Sequence, residues 1–148
     1  MALKDMWIPT DFAAVFPQGL MLVGAIEADE EFSSDRNAPR RQKLDMDRDG
    51  NGSRKRMWKA TVMDPAGAGK GAKNTGLDIT FISDAMPTPP ANEVAPGFCP
   101  IALEGLMLKP RVVGNGEFKS IGFYIRATGI VGDNSGAKVN EPAARKAA

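Results

Sequence analysis

The sequence predicts an all-β fold, a small five-stranded barrel from which one basic β-hairpin protrudes. Three observations predict it. Apolar and polar residues alternate with a period of two in segments such as LDITFIS at residues 77–83. The chain is punctuated by 16 glycines and 11 prolines, and only one short stretch offers a helical turn. Its 148 residues are 43% hydrophobic, enough for a real core in one domain with tails.

Residues 1–18 form an irregular N-terminal segment. Within it Thr10 or Asp11 caps a helical turn through Phe12 and Phe16, stopped by Pro17 and placed as a plug over one end of the core. The barrel domain spans residues 19–131. Its first strand is LMLVGAIEA at Leu20–Ala28, where Gly24 marks a bulge or a sharp bend. A loop follows at residues 32–39. The hairpin comes next, with arms at residues 42–46 and 54–63 and the turn Asp49-Gly50-Asn51-Gly52 between them. On the second arm Trp58, Ala60 and Val62 share one face, so Trp58 reads as core rather than as a stacking platform.

Residues 64–75, DPAGAGKGAKNT, read as a flexible loop, and residues 77–83 as the third strand. Residues 84–100 carry prolines at 87, 89, 90, 96 and 100, which rules out a helix or a central strand and predicts an extended surface connector. The fourth strand is residues 101–108, ended by Lys109-Pro110, and a turn lies at Gly114-Asn115-Gly116. The fifth is residues 119–130. Ile121, Phe123, Ile125 and Ala127 make its apolar face; Ser120, Tyr124, Arg126 and Thr128 make the other. Residues 132–148 read as a disordered tail. Five strands with a special segment between the third and fourth is the order of an OB-like barrel. A sandwich or an SH3-like barrel is the alternative, because prolines replace the helix that an OB-fold usually carries there.

Composition argues against an enzyme. There is no histidine, so the Ser-His-Asp and Cys-His arrangements are excluded. Cys99 is the one cysteine, which excludes an internal disulfide and structural zinc. Glu104 and Asp78 fall on polar strand positions with nothing to pair them as catalytic carboxylates. Asp45-Met-Asp47-Arg-Asp49-Gly50 matches half of a calcium loop, but Arg56 stands where the bidentate Glu belongs. Gly67-Ala-Gly69-Lys70-Gly71 lacks the Ser or Thr of a phosphate loop. No catalytic residue, metal or cofactor is therefore expected. No apolar run has the ~20 residues of a membrane helix, and the N-terminus lacks a signal-peptide stretch, so a soluble, cytoplasmic protein without a membrane partner is expected.

Charge is the positive signal. The net charge is +1, yet residues 35–59 hold nine cations against four anions, a local +5. Glu27, Asp29, Glu30 and Glu31 lie just before them. A basic element on a neutral protein predicts a local anionic partner. Single-strand binders combine a cationic track with aromatic faces on which bases stack. Arg40, Arg41, Lys43, Arg54, Lys55, Arg56 and Lys59 supply the track. Tyr124, beside Arg126 on the polar face of the fifth strand, supplies a platform; Phe118 and Phe32 are further aromatic candidates.

The first strand LMLVGAIEA, the charged hairpin ending in MWKATVMDP, the Pro-rich crossing, and the endings APGFCPIALEGLMLKPRV and FKSIGFYIRATGI together resemble OB-fold single-stranded-DNA-binding proteins of bacterial, notably actinobacterial, mobile elements and phages. The resemblance covers residues 20–130. It implies binding of single-stranded DNA across the barrel face and its loops, a role in replication, recombination or transfer, and frequent homo-oligomerisation. The rival expectation is a structural or protein-interaction module of a phage or plasmid system, with Met57, Met63, Met107 and Leu108 on an exposed patch.

Overall fold

The computed structural model describes residues 6–46, 52–70 and 76–133. Among them strands dominate, and the all-β expectation holds. The strands are β1 (Ile8–Pro9), β2 (Leu20–Ala28), β3 (Met57–Met63), β4 (Gly76–Ile82), β5 (Phe98–Ile101), β6 (Leu103–Glu104), β7 (Met107–Val113), β8 (Ser120–Ala127) and β9 (Gly129–Ile130). Seven of them form one mixed sheet in the order β1-β7-β8-β4-β3-β2-β5, and β6 pairs with β9. The expected five strands are thus subdivided, and the seven-stranded sheet is not itself closed into a barrel. All its pairings are antiparallel except β4 with β8, where Thr80 faces Arg126 and Phe81 faces Ala127.

The helical turn expected near the N-terminus is α1 (Phe12–Val15). Asp11 caps it by accepting a hydrogen bond from the Ala14 N–H at 3.1 Å. Phe12 and Val15 pack on the core, and Phe16 enters it. β2 has the expected bounds. Gly24 sits at φ 77°, its N–H donates to the Gly97 carbonyl at 2.8 Å, and the register against β3 shifts between Val23 and Glu27. That combination is a bulge, formed where only glycine adopts the backbone freely.

Several boundaries differ from the sequence reading: β3 begins at Met57 rather than at 54, and the expected 119–130 strand breaks at Thr128 into β8 and β9. The N-terminal segment contributes β1, which pairs with Met107 and Leu108 of β7. The fourth strand breaks at Ala102 and at Gly105 (φ 63°), then runs through Lys109-Pro110 to Val113 rather than ending there. Proline is tolerated at 110 because β1 reaches only as far as Leu108, which leaves Pro110 on an open edge where a missing N–H breaks no ladder. The Pro-rich connector is not wholly a crossing: Phe98, Cys99 and Pro100 belong to β5 and pair with β2. β5 lies at the end of the sheet order, the position that accepts Pro100.

The core lies between the inward rows of these strands. Val62, Ile79, Phe81, Ala127 and Ile130 are its most enclosed residues. Burying the valine, isoleucine and phenylalanine side chains among them contributes about 1.5–3 kcal/mol each. Trp58 packs half-buried against the core, and its Nε1–H donates to the Ser83 carbonyl at 2.9 Å. The tail from residue 134 onward lies outside the described residues, as do the hairpin tip at 47–51 and Lys73 of the 64–75 loop. Residues Pro65–Lys70 of that loop form a 3-10 turn.

Candidate nucleic-acid interface

The basic arm is less regular than a hairpin. Beyond Ala28 and before Met57 the chains of β2 and β3 separate, and residues 41–45 fill the gap. The Lys43 N–H donates to the Asp29 carbonyl at 2.7 Å, and the Met57 N–H donates to the Lys43 carbonyl at 2.9 Å. Glu30 with Gln42, and Leu44 with Arg56, form isolated bridges. Gln42 adds a side-chain bond to the Met57 carbonyl at 2.7 Å. Near the tip Arg54 takes φ 60°, an uncommon conformation for a residue with a Cβ.

Several of the arm's described cations are engaged with the chain itself. Arg40 lies 3.5 Å from Glu30, and Lys43 lies 3.6 Å from Asp29. Lys59 stands opposite Glu27 in the β2–β3 register. Arg56 donates to the Asp84 carbonyl at 3.3 Å. Arg41, Arg54 and Lys55 are exposed. The acidic cluster that precedes the arm in sequence therefore folds against it and offsets part of its charge. An open groove of about 1030 Å³ runs between them, lined by Glu30, Phe32, Arg36, Arg40 and Lys59 among others.

The second cationic surface is the face of β7 and β8 that carries Tyr124. Antiparallel pairing sets Met107 opposite Arg126, Lys109 opposite Tyr124 and Arg111 opposite Gly122. Alternation along both strands puts these residues on one face. The Arg111 guanidinium lies over the Tyr124 ring, 4.5 Å from its centroid. Arg126 lies 4.2 Å over the Trp7 ring, and the Lys109 ammonium approaches the same ring at 6.0 Å. Gly122 leaves room here, since a Cβ at that position would sit 3.0 Å from Val113.

The two surfaces meet at one ion pair. Asp45 Oδ1 lies 3.4 Å from Arg126 Nη1, and both side chains are largely buried. The other carboxylate oxygen accepts from the Ser53 N–H at 3.0 Å and from its hydroxyl at 2.8 Å. The register of β3, β4 and β8 also aligns Lys59, Thr80 and Arg126 in one row across the sheet. Of the predicted residues, Tyr124, Arg126 and Lys59 are thus brought onto one continuous outer face, while Arg40 and Lys43 lie beside the acidic cluster.

Trp7, Lys109, Arg111 and Asp45 complete this face and were missed by sequence reasoning. Lys109 and Arg111 alternate with Pro110 and Val112, a signal that becomes legible once the strand continues past the proline. Trp7 carries no local signal, because only the β1–β7 pairing brings it here. The calcium-like run falls largely on residues outside the description; among the described residues no group of three acidic or cysteine side chains converges as a metal site requires. No described helix is long and apolar enough to cross a membrane. Comparisons with protein-family models, with curated proteins and with solved structures find no match.

Proposed function

We propose that this protein binds single-stranded nucleic acid, DNA in the first instance, on the outer face of β3, β4, β8 and β7. The observation that carries the reading is the pair of cation–aromatic contacts, Arg111 on Tyr124 and Arg126 on Trp7, set side by side on one strand face. Guanidinium and aromatic planes are the surfaces on which unpaired bases stack, and the surrounding cations attract the backbone. Lys59, Lys109 and the exposed Arg41, Arg54 and Lys55 supply that attraction.

The finer fold reading, an OB-type barrel, belongs to the same proposal. It is supported by β5 lying on β2, by the parallel pairing of β4 with β8, and by the β6–β9 ladder. That ladder continues the lines of β5 and β8 past single-residue breaks and brings the fourth and fifth strand lines together, as the OB order requires. In that order the basic arm and the turn of the β7–β8 hairpin stand where OB-folds bind oligonucleotides. The resemblance to mobile-element and phage proteins points the activity toward replication, recombination or transfer.

Titration of labelled oligo-dT at two salt concentrations tests the reading. Affinity is expected to fall with salt by about 0.7 logarithmic units per decade for each phosphate contact. Arg111→Ala and Tyr124→Ala are each expected to weaken binding by roughly 1–3 kcal/mol. Absence of binding at low salt, or binding indifferent to both changes, refutes it.

A second reading has its own observation. The opposite face of the same hairpin carries Pro110, Val112, Ile121 and Phe123, all exposed, with Ile121 at 73% and Val112 at 70%. Apolar cross-strand pairs left in water mark an interaction surface, which favours contact with another protein or a second copy of the chain. This patch lies elsewhere than the sequence predicts. Met57, Met107 and Leu108 are partly buried, and only Met63 of that set is exposed.

A further inference from the structure

We infer that Asp45 is a specificity-determining residue of the proposed interface, an internal carboxylate that holds Arg126 until a polynucleotide displaces it. The inference rests on the nucleic-acid reading above and asks which anions the site accepts.

Among the described residues, three cations of the interface and its arm meet carboxylates of the same chain. Arg40 meets Glu30, Lys43 meets Asp29, and Arg126 meets Asp45. These pairs differ in burial. The Arg40 and Glu30 side chains are 84% and 40% exposed, and an exposed pair of this kind contributes at most about 1 kcal/mol. Breaking such a pair costs little. The Arg126 and Asp45 side chains are 18% and 13% exposed. Water screens this pair less, so it is the harder one to exchange.

The geometry around Asp45 makes it a strong competitor. Ser53 holds one carboxylate oxygen with two hydrogen bonds, which aims the other at Arg126. Arg126 is in turn held over the Trp7 ring. A phosphate that replaces Asp45 must offset both the ion pair and the reorientation of a carboxylate that stays nearby. One phosphate acting alone gains a single contact. A chain of phosphates gains further contacts at Lys59, Lys109 and Arg111 at the same time, and linked contacts add as effective concentration. Asp45 therefore selects for polyanions over mononucleotides and inorganic phosphate. Asp45 is also fixed through its backbone, which donates to the Lys55 carbonyl at 2.8 Å and accepts from the Arg54 N–H at 2.9 Å, so exchange of the pair turns on its side chain.

The test is the affinity of the full chain for oligo-dT of three and twelve nucleotides and for inorganic phosphate, in wild type and Asp45→Asn. Asp45→Asn is expected to bind both oligonucleotides roughly threefold to tenfold more tightly, with the larger relative gain on the trimer. Its affinity is expected to fall more steeply with salt, by about 0.7 logarithmic units per decade, the signature of one more phosphate contact. Unchanged or weaker binding by a folded Asp45→Asn overturns the inference while leaving the nucleic-acid reading intact. Failure of wild type to bind either oligonucleotide at low salt overturns the parent reading instead. Should Asp45→Asn lose its cooperative melting transition, Ser53→Ala decides, because it removes the hydroxyl bond that aims Asp45 at Arg126. Loosening Asp45 in this way is expected to raise affinity for the trimer roughly twofold, and no gain there in a folded Ser53→Ala overturns the inference as well.

Discussion

At the scale of single residues, burial and chemistry separate the core from the interface. Phe81 is fully buried, sits between β3 and β8, and joins the parallel pairing through Ala127. Phe81→Ala is expected to cost about 3–5 kcal/mol, read as a lowered denaturation midpoint. A loss below about 1 kcal/mol would show that the core does not close around this ring. Trp58 divides its roles within one side chain, with its ring against the core and its N–H on the Ser83 carbonyl. It is therefore poorly placed as a stacking platform, whereas Tyr124 is 49% exposed and already carries a guanidinium on its ring.

At the scale of elements, the β7–β8 hairpin does most to define the interface, and its two faces differ. One holds Lys109, Arg111, Tyr124 and Arg126; the other holds Pro110, Val112, Ile121 and Phe123. Gly114 shapes the turn between the strands. It takes φ 95°, and a Cβ there would collide with the Phe118 carbonyl oxygen. Gly114→Ala is expected to loosen the hairpin, seen as faster amide exchange in residues 109–124 and as weaker oligo-dT binding, while residues 20–28 keep their protection. The apolar face gives a different expectation. Ile121→Asp removes little buried area, so the melting temperature should move by no more than a degree or two, corresponding to about 0.5 kcal/mol. If the face mediates self-association, the same change lowers the molar mass measured by light scattering.

At the scale of the whole molecule, a net charge of +1 conceals an arrangement. The acidic end of β2 lies against the basic arm, so part of the arm's charge is answered within the chain. The outer face of β7 and β8 has fewer cations, but Lys109, Arg111 and Arg126 lie over aromatic rings there. This ordering predicts where the salt dependence of binding originates. Variants at Lys109 or Arg111 should flatten it, and a variant at Arg40 should leave it nearly unchanged, because Arg40 stands beside Glu30 and away from the outer face of β7 and β8.

Local chemistry accounts for what was legible in the sequence itself. Period-two alternation set β3 and β4, an apolar run set β2, the cap Asp11 set α1, and Gly24 marked its bulge, because each depends on neighbours a few positions away. The absence of histidine, and a lone cysteine, narrowed the chemistry before any fold was known. Tertiary structure decided the rest. Pro110 halts a strand only where a neighbour needs its N–H, and the reach of β1 is a long-range fact. Trp7 meets Arg126, and Asp45 meets Arg126, across separations in sequence that no local pattern encodes. The basic run from Arg36 to Lys59 was plain in the sequence as charge, but charge acts through space. Only the fold set Asp29 and Glu30 against that run, and Lys109, Arg111, Tyr124 and Arg126 on a face of their own.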